Sequence, residues 1–306
     1  MVQKLNPDDL DDFEYLFQQY LTHIDDPVRT VAHLKEGLKV GISTGFRYII
    51  GEYSGTGEGR GILVHNPTTH RISFILADYN YEVEKKLLDH LFKEFSPISS
   101  TLIFESGYPT PWISGQFSEY AVRCGFTKHD RLFMKLTRTD FPTSPTLHDG
   151  IHIVQFTDSM IEEITRMVFR SVAGTIDQDL FPYVYGTYDT TLRFHQQLTT
   201  GDFGTHKPSY SWVLIENGES VGVCFMIKQD NETGGVMHLA IDPECRQRGL
   251  GRILLVHALD NLLKIEPELT KVVLAVTLSN PATKLYESVG FRKVNDSSTY
   301  VWKREC

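Results

Sequence analysis

The chain has 306 residues, 41% of them hydrophobic and 23% charged, an ordinary globular composition on a length that suits two domains better than one core. The formal net charge of −9 at pH 7 argues against a nonspecific nucleic-acid binder, whose footprint would be basic. No apolar run approaches the ~18 residues of a membrane span, and the polar, acidic residues 6–12 are not a signal peptide, so the expectation is a cytoplasmic protein with neither nucleic acid nor membrane as partner.

Leu10, Phe13, Leu16, Phe17 and Tyr20 are spaced for one face of a first helix, with Asp8 and Asp9 as capping candidates. Residues 31–40 suit a second helix. Strands are predicted at 48–50, 61–64 and 72–76, the first two separated by a glycine-rich turn at 55–59. Val83, Leu87, Leu88, Leu91 and Phe92 stripe a further helix, and residues 101–104 form another strand. Residues 141–146 carry two prolines among small polar residues and read as a linker. The expected division is a first domain at 1–140, a linker at 141–149 and a second domain at 150–306.

The second half opens on a strand at 151–154 and a helix striped by Ile161, Ile164, Val168 and Phe169. Residues 171–200 are less regular and contain Asp177, Asp179, Phe181, Tyr183, Tyr185, Tyr188, Asp189 and His195. Read from the residues alone, they are a surface loop followed by a helix stripe of Leu192, His195 and Leu198. Strands at 211–215 and 221–227 then form a hairpin through Asn217-Gly218, a strong turn signal.

The most informative stretch follows. The apolar strand 236–241 is closed by Asp242-Pro243, and then comes Arg246-Gln247-Arg248-Gly249-Leu250-Gly251-Arg252. A helix begins there, with Ile253, Leu254, Ala258, Leu259, Leu262 and Leu263 on its apolar face. Such a loop aims several backbone N–H groups at one point with the positive end of the helix dipole behind them. Two glycines let the backbone approach an anion closely, and the arginines add charge at the rim, so the loop reads as a pyrophosphate cradle. It is not a Walker loop, which needs Gly-Lys-Ser or Gly-Lys-Thr. It is not a dinucleotide fingerprint either, since Leu254 stands where the third glycine would fall.

Arg-x-x-Gly-x-Gly after a strand resembles the acetyl-CoA loop of the GNAT N-acetyltransferase superfamily. A second stretch strengthens the match: Asn280-Pro281-Ala282-Thr283-Lys284-Leu285-Tyr286, continuing to Gly290-Phe291, is similar to the family's Asn-x-x-Ala-x-x-Leu-Tyr-x-x-x-Gly-Phe, in the expected order, with one residue fewer between Asn280 and Ala282. The diagnostic motifs cover about residues 236–303. Local echoes then relate the two halves, Leu76-Ala77-Asp78 to Leu239–Asp242 and Cys124-Gly125-Phe126 to Val289-Gly290-Phe291, which suggests a tandem duplication. The layout is similar to that of mycothiol synthase-like tandem acetyltransferases. The implied fold is mixed α/β (α+β), two tandem GNAT-like domains, each a mostly antiparallel mixed sheet flanked by helices. In the first copy the phosphate loop is missing: Tyr79-Asn80-Tyr81-Glu82 lacks glycine and gains a carboxylate that would repel a pyrophosphate. That copy is expected to be degenerate, with a structural role.

The resemblance implies acetyl-CoA as co-substrate and a small-molecule amine as acceptor. The diphosphate would lie on Arg246, Gln247, Arg248, Gly249, Leu250, Gly251 and Arg252, and the pantetheine arm along Leu239, Ala240 and Ile241. Asn280 matches a position that binds the cofactor or fixes its loop, and Tyr286 the tyrosine that protonates the leaving thiolate. Residues 171–200 would form much of the acceptor pocket. Many relatives carry a glutamate on the central strand as general base, whereas Gly235-Val236-Met237-His238 has none. His238 is the substitute by pKa, but period-2 alternation puts it on the face opposite Met237 unless the strand bulges. Glu216, Asp177, Asp179 or a water chain are the alternatives. Cys124, Cys224, Cys245 and Cys306 show no CxxC and no metal-ligand spacing, so reduced thiols and no metal are expected. The expected activity is direct acetyl transfer to a primary amine of a small molecule or amino acid, by a chain compatible with a homodimer. The alternatives are a non-catalytic acetyl-CoA-binding or sensing protein, or transfer of a longer acyl chain.

Overall fold

The computed structural model describes residues 1–22, 30–107, 113–141 and 150–304. The expected linker, Phe141 apart, lies outside the described residues. The chain forms two compact units, residues 1–131 with 296–306 and residues 132–295. This division departs from the boundaries 1–140 and 150–306 read from the sequence. Leu132, Met134 and Leu136 are buried in the core of the second unit. Tyr300 is buried in the core of the first, its ring stacked on Phe104 at 4.4 Å. Each half therefore gives its last strand to the other unit's core, an exchange that a linear reading of strand order cannot reveal.

In the first unit β1 (Val2–Lys4) is followed by α1 (Glu14–Thr22), α2 (Val31–Ser43), β2 (Tyr48–Tyr53), β3 (Gly59–Asn66) and β4 (Arg71–Leu76). Next come α3 (Tyr81–Phe95), β5 (Thr101–Gly107), α4 (Gly115–Arg123) and β6 (Thr127–Thr137), whose end crosses into the second unit. β1 to β4 are antiparallel neighbours, and β5 runs parallel to β4. Residues 297–303 pair antiparallel with β5. Asn80 starts α3 by accepting a hydrogen bond from the Val83 N–H at 3.3 Å.

In the second unit β7 (Ile151–Gln155), α5 (Ile161–Val172), α6 (Ile176–Leu180), α7 (Pro182–Tyr185) and α8 (Tyr188–Thr200) precede the hairpin β8 (Trp212–Glu216) and β9 (Glu219–Lys228). β10 (Thr233–Ile241), α9 (Leu250–Ile265), β11 (Lys271–Thr277), α10 (Ala282–Val289) and β12 (Arg292–Lys303) complete the order. β7 to β10 are antiparallel in sequence order, and β11 runs parallel to β10. The hairpin turns on Asn217 (φ 53°) and Gly218 (φ 84°), both left-handed, the geometry an Asn-Gly pair favours. Along β9, Val223, Phe225 and Ile227 pack with α5 and α8, while Cys224 and Met226 pack with α9. This period of two separates the faces and lets helices cover both. Each unit thus has one parallel pair in a mostly antiparallel sheet flanked by helices. Among the described residues, no helix is long and apolar enough to cross a membrane.

Candidate active site

Two features of β10 organise the site. Its parallel pairing with β11 covers only Thr233, Gly234 and Gly235, opposite Lys271, Val272 and Val273. Beyond Gly235, among the described residues, the registered pairing of β10 is with β9 alone. The Asp242 N–H donates to Val221 O across β9 at 2.9 Å, so alternation turns the main chain of Ala240 toward β9 and that of Leu239 and Ile241 toward the open side. Of the three residues expected to meet a pantetheine arm, Leu239 and Ile241 present their backbone to that open side.

The second feature is a bulge. Register shifts between Val236 and His238, so Met237 and His238 turn to the same layer. Met237 packs against the α5–α8 core, and His238 bonds to His195 of α8, ring nitrogen to ring nitrogen, at 3.3 Å. The face that strict alternation would give His238 is corrected by that extra residue. Rings of Tyr185 and Phe194 flank it, with centroids at 5.5 and 6.4 Å. Burial lowers His238 to about 4, so the ring is neutral at physiological pH.

After Ile241 the chain turns through 242–249 into α9. Asp242 accepts from the Glu244 N–H at 3.1 Å and takes the Arg170 guanidinium at 2.9 Å. Gln247 (φ 62°) and Gly249 (φ 77°) are left-handed. A Cβ on Gly249 would meet nothing within 4 Å, so glycine serves conformation there. Gly251 differs. A Cβ there would lie 3.0 Å from Leu285 Cδ1 of α10 and 3.5 Å from Ile241 Cγ1, so its smallness serves helix packing. The N–H groups of Gln247, Arg248, Gly249, Leu250 and Gly251 donate to no backbone acceptor among the described residues, whereas those of Arg252 and Ile253 bond Gly249 O at 3.1 Å. Residues 246–249 are exposed. Unpaired donors at the start of a sixteen-residue helix are what a diphosphate needs, and the residues fit that group.

The arginines have separate duties. Arg246 donates to Ile241 O at 3.1 Å and to Ser171 O at 2.6 Å, tying the loop to the ends of β10 and α5. Arg248 makes a two-pronged bond to Glu216, at 2.9 and 2.6 Å. Arg252 has no ion-pair partner among the described residues. The Arg248 bonds hold the Glu216 carboxyl below its ordinary value and occupy both of its oxygens.

On the β11 side, Asn280 Nδ2 donates to Asp177 of α6 at 2.8 Å, and its Oδ1 caps α10 through the Ala282 N–H at 2.9 Å. Thr277 donates to the other Asp177 oxygen at 3.3 Å. Asn280 and Asp177 thus fix the loop before α10, while Asp179 is exposed. Tyr286 lies inside α10 with its ring buried against Phe291 at 5.9 Å. Burial pushes its phenol up, with Cys224 and Asp177 adding to the effect, so it stays protonated at physiological pH. Among the described residues no group of three or more His, Cys, Asp or Glu side chains is placed to hold a metal ion.

In the first unit the corresponding turn is shorter, residues 77–80, and holds Asp78 (φ 45°) and Tyr79 (φ 57°) in left-handed conformation without glycine. Tyr120 of α4 donates to Asp89 of α3. Glu84 of α3 takes the Ser114 hydroxyl and N–H at the start of α4.

This architecture is that of tandem GNAT proteins. A GCN5-related N-acetyltransferase from Sphaerobacter thermophilus is similar over 99% of this chain and 95% of its own (TM-score 0.67, 15% identity). A tandem GNAT protein from the clavulanic acid biosynthesis pathway is similar over 99% and 98% (TM-score 0.58, 14% identity). The glucosamine N-acetyltransferase region of a fungal multi-domain GH3 β-N-acetylglucosaminidase is similar over 99% of this chain and 38% of that one (TM-score 0.63, 16% identity). Residues 207–293, within the second unit, match the family described as Acetyltransferase (GNAT) domain. No curated protein is close enough in sequence to match it.

Proposed function

We propose that the second unit transfers the acetyl group of acetyl-CoA to a primary amine of a small molecule or amino acid, by direct attack within a ternary complex. The observation that carries this reading is the end of β10–β11 pairing at Gly235, beside a helix-opening loop, exposed at 246–249, whose N–H groups from Gln247 to Gly251 bond no backbone acceptor among the described residues. The loop binds the diphosphate through Gln247 to Gly251, with Arg252 adding charge, and Arg246 and Arg248 hold the loop's shape. The Leu239 and Ile241 backbone aligns the pantetheine arm and offers a fixed dipole to the developing oxyanion. Acetyl-CoA supplies the activated acyl group.

Tyr286 is the group that protonates the departing thiolate, because its phenol is buried and protonated. His238 faces the amine as base, and Tyr185 and Phe194 give the acceptor an aromatic wall. A base titrating at about 4 is already unprotonated near neutrality. The pH dependence of kcat/KM is therefore expected to follow deprotonation of the amine itself, with no inflection near 6.5. The missing strand carboxylate is what favours the alternative of a binding or sensing protein. An assay of released CoA thiol with acetyl-CoA and a panel of amines, amino acids and amino sugars separates the two. Turnover of at least one amine supports the enzyme, and tight binding without turnover of any supports the sensor. Propionyl- and longer acyl-CoA in the same assay test the acyl chain length.

A further inference from the structure

We propose that His195 is a positioning residue for His238, holding that ring in the tautomer whose Nε2 is bare and turned to the acceptor. The inference rests on the reading of His238 as base and adds what sets it. Three elements meet here: Thr165 of α5, His195 of α8 and His238 of β10. The Thr165 hydroxyl lies 2.6 Å from Ile161 O, one helical turn back. A carbonyl oxygen only accepts, so this contact commits the hydroxyl's single proton. Thr165 Oγ1 is also 2.8 Å from His195 Nδ1, and with its proton spent it accepts, which places a proton on His195 Nδ1.

Neutral His195 then has a lone pair on Nε2. His238 Nδ1, 3.3 Å away, must be the donor, and its Nε2 is left unprotonated. Both rings are neutral: burial lowers His195 well below its ordinary value, with the neighbouring His238 adding to the effect, and burial lowers His238 in turn. Thr165 and His195 are fully buried and His238 is 8% exposed, so water does not compete for these bonds. His238 Nε2 has no hydrogen-bond partner among the described residues and is not among the wholly enclosed unpaired atoms. The chain of bonds ends on a backbone carbonyl that cannot take a proton, so it orients His238 without relaying protons away. The bulge at Val236–His238 is what makes it reachable.

The test uses the full chain labelled with ¹⁵N-histidine. Ring-nitrogen NMR at pH 7 should show His238 protonated at Nδ1 and bare at Nε2, and a proton on Nε2 overturns the proposal with no variant needed. His195→Leu cannot accept the bond. It should mix the His238 tautomers and lower kcat at least about tenfold, with a melting temperature within about 5 °C of wild type. His195→Gln, whose Oε1 can accept, should restore the Nδ1–H form and most of kcat. An unchanged tautomer in His195→Leu, or no recovery in His195→Gln, counts against the assignment. Failure of the base reading looks different: His238→Gln would acetylate amines at the wild-type rate while the wild-type tautomer stayed as assigned.

Discussion

Tyr286 offers the sharpest prediction at the level of single side chains. Tyr286→Phe removes one hydroxyl and keeps the ring packed on Phe291. The expected result is a fall in kcat of about 10²-fold, with the KM for acetyl-CoA and the melting temperature nearly unchanged. Unaltered kcat would remove Tyr286 from the chemistry. Gly251 is predicted from the opposite kind of evidence. A Cβ there meets Leu285 Cδ1 at 3.0 Å, so Gly251→Val, whose two further methyl groups have no room, should cost about 1–3 kcal/mol of stability through overpacking, as denaturant melts would show. A change confined to acetyl-CoA affinity would contradict that packing role. Arg246 and Arg248, although they look alike in sequence, bond two carbonyls in one case and a carboxylate in the other.

At the level of elements, much of the site is legible because it is local. Gly249 and the Asn217-Gly218 turn announce left-handed backbone in their residue types, and the Asn280–Phe291 stretch carries its own cap and helix. The bulge in β10 is not legible. Val236, Met237 and His238 alternate as any strand does, and only packing against α8 and β9 shows which side His238 takes. The pairings Arg248–Glu216, Asn280–Asp177 and His195–His238 span 32, 103 and 43 residues, and no spacing rule reaches that far. In the first half the sequence does reveal a lost loop. The structure adds that the short turn at 77–80 keeps two non-glycine residues left-handed, the tyrosine at a cost of about 1–2 kcal/mol and the aspartate at less. Asp78→Gly should therefore be neutral or stabilising in a thermal melt, and a clear loss of stability would mean that Asp78 has another duty.

For the molecule as a whole, the exchange of last strands predicts how it may be cut. A chain ending at residue 295 lacks Tyr300, which stacks on Phe104 in the first unit's core. A chain starting at residue 150 lacks Leu132, Met134 and Leu136 from the second unit's core. Neither truncation should give a cooperatively folding product, whereas a sharp two-state melt for the 150–306 fragment would contradict the division. Buried histidines set the acid response. His65, fully buried with neither ring nitrogen hydrogen-bonded among the described residues, and His238 are both lowered to about 4 by burial, and His195 is lowered too. Their folded pKa values lie below the unfolded one, near 6.5, so the unfolded chain binds more protons in between. Stability is then complete above about pH 6.5 and falls as pH drops toward about 4. His65→Leu should flatten that slope without lowering stability at pH 7, because it removes a buried polar group that has no partner. A steeper slope would refute the assignment.

The central claim, that the loop opening α9 is an acetyl-CoA site, is tested most directly by titration calorimetry of acetyl-CoA into three proteins. These are the wild type, Gly249→Asn and Gly249→Asp. Gly249 is left-handed with open space where a side chain would go, and Asn and Asp tolerate that backbone about equally, so the pair differs chiefly in one negative charge at the cradle. The expected result is one equivalent bound by wild type, similar binding by Gly249→Asn and loss of binding by Gly249→Asp. Equal binding by the Asn and Asp proteins, or no binding by wild type, would contradict the account.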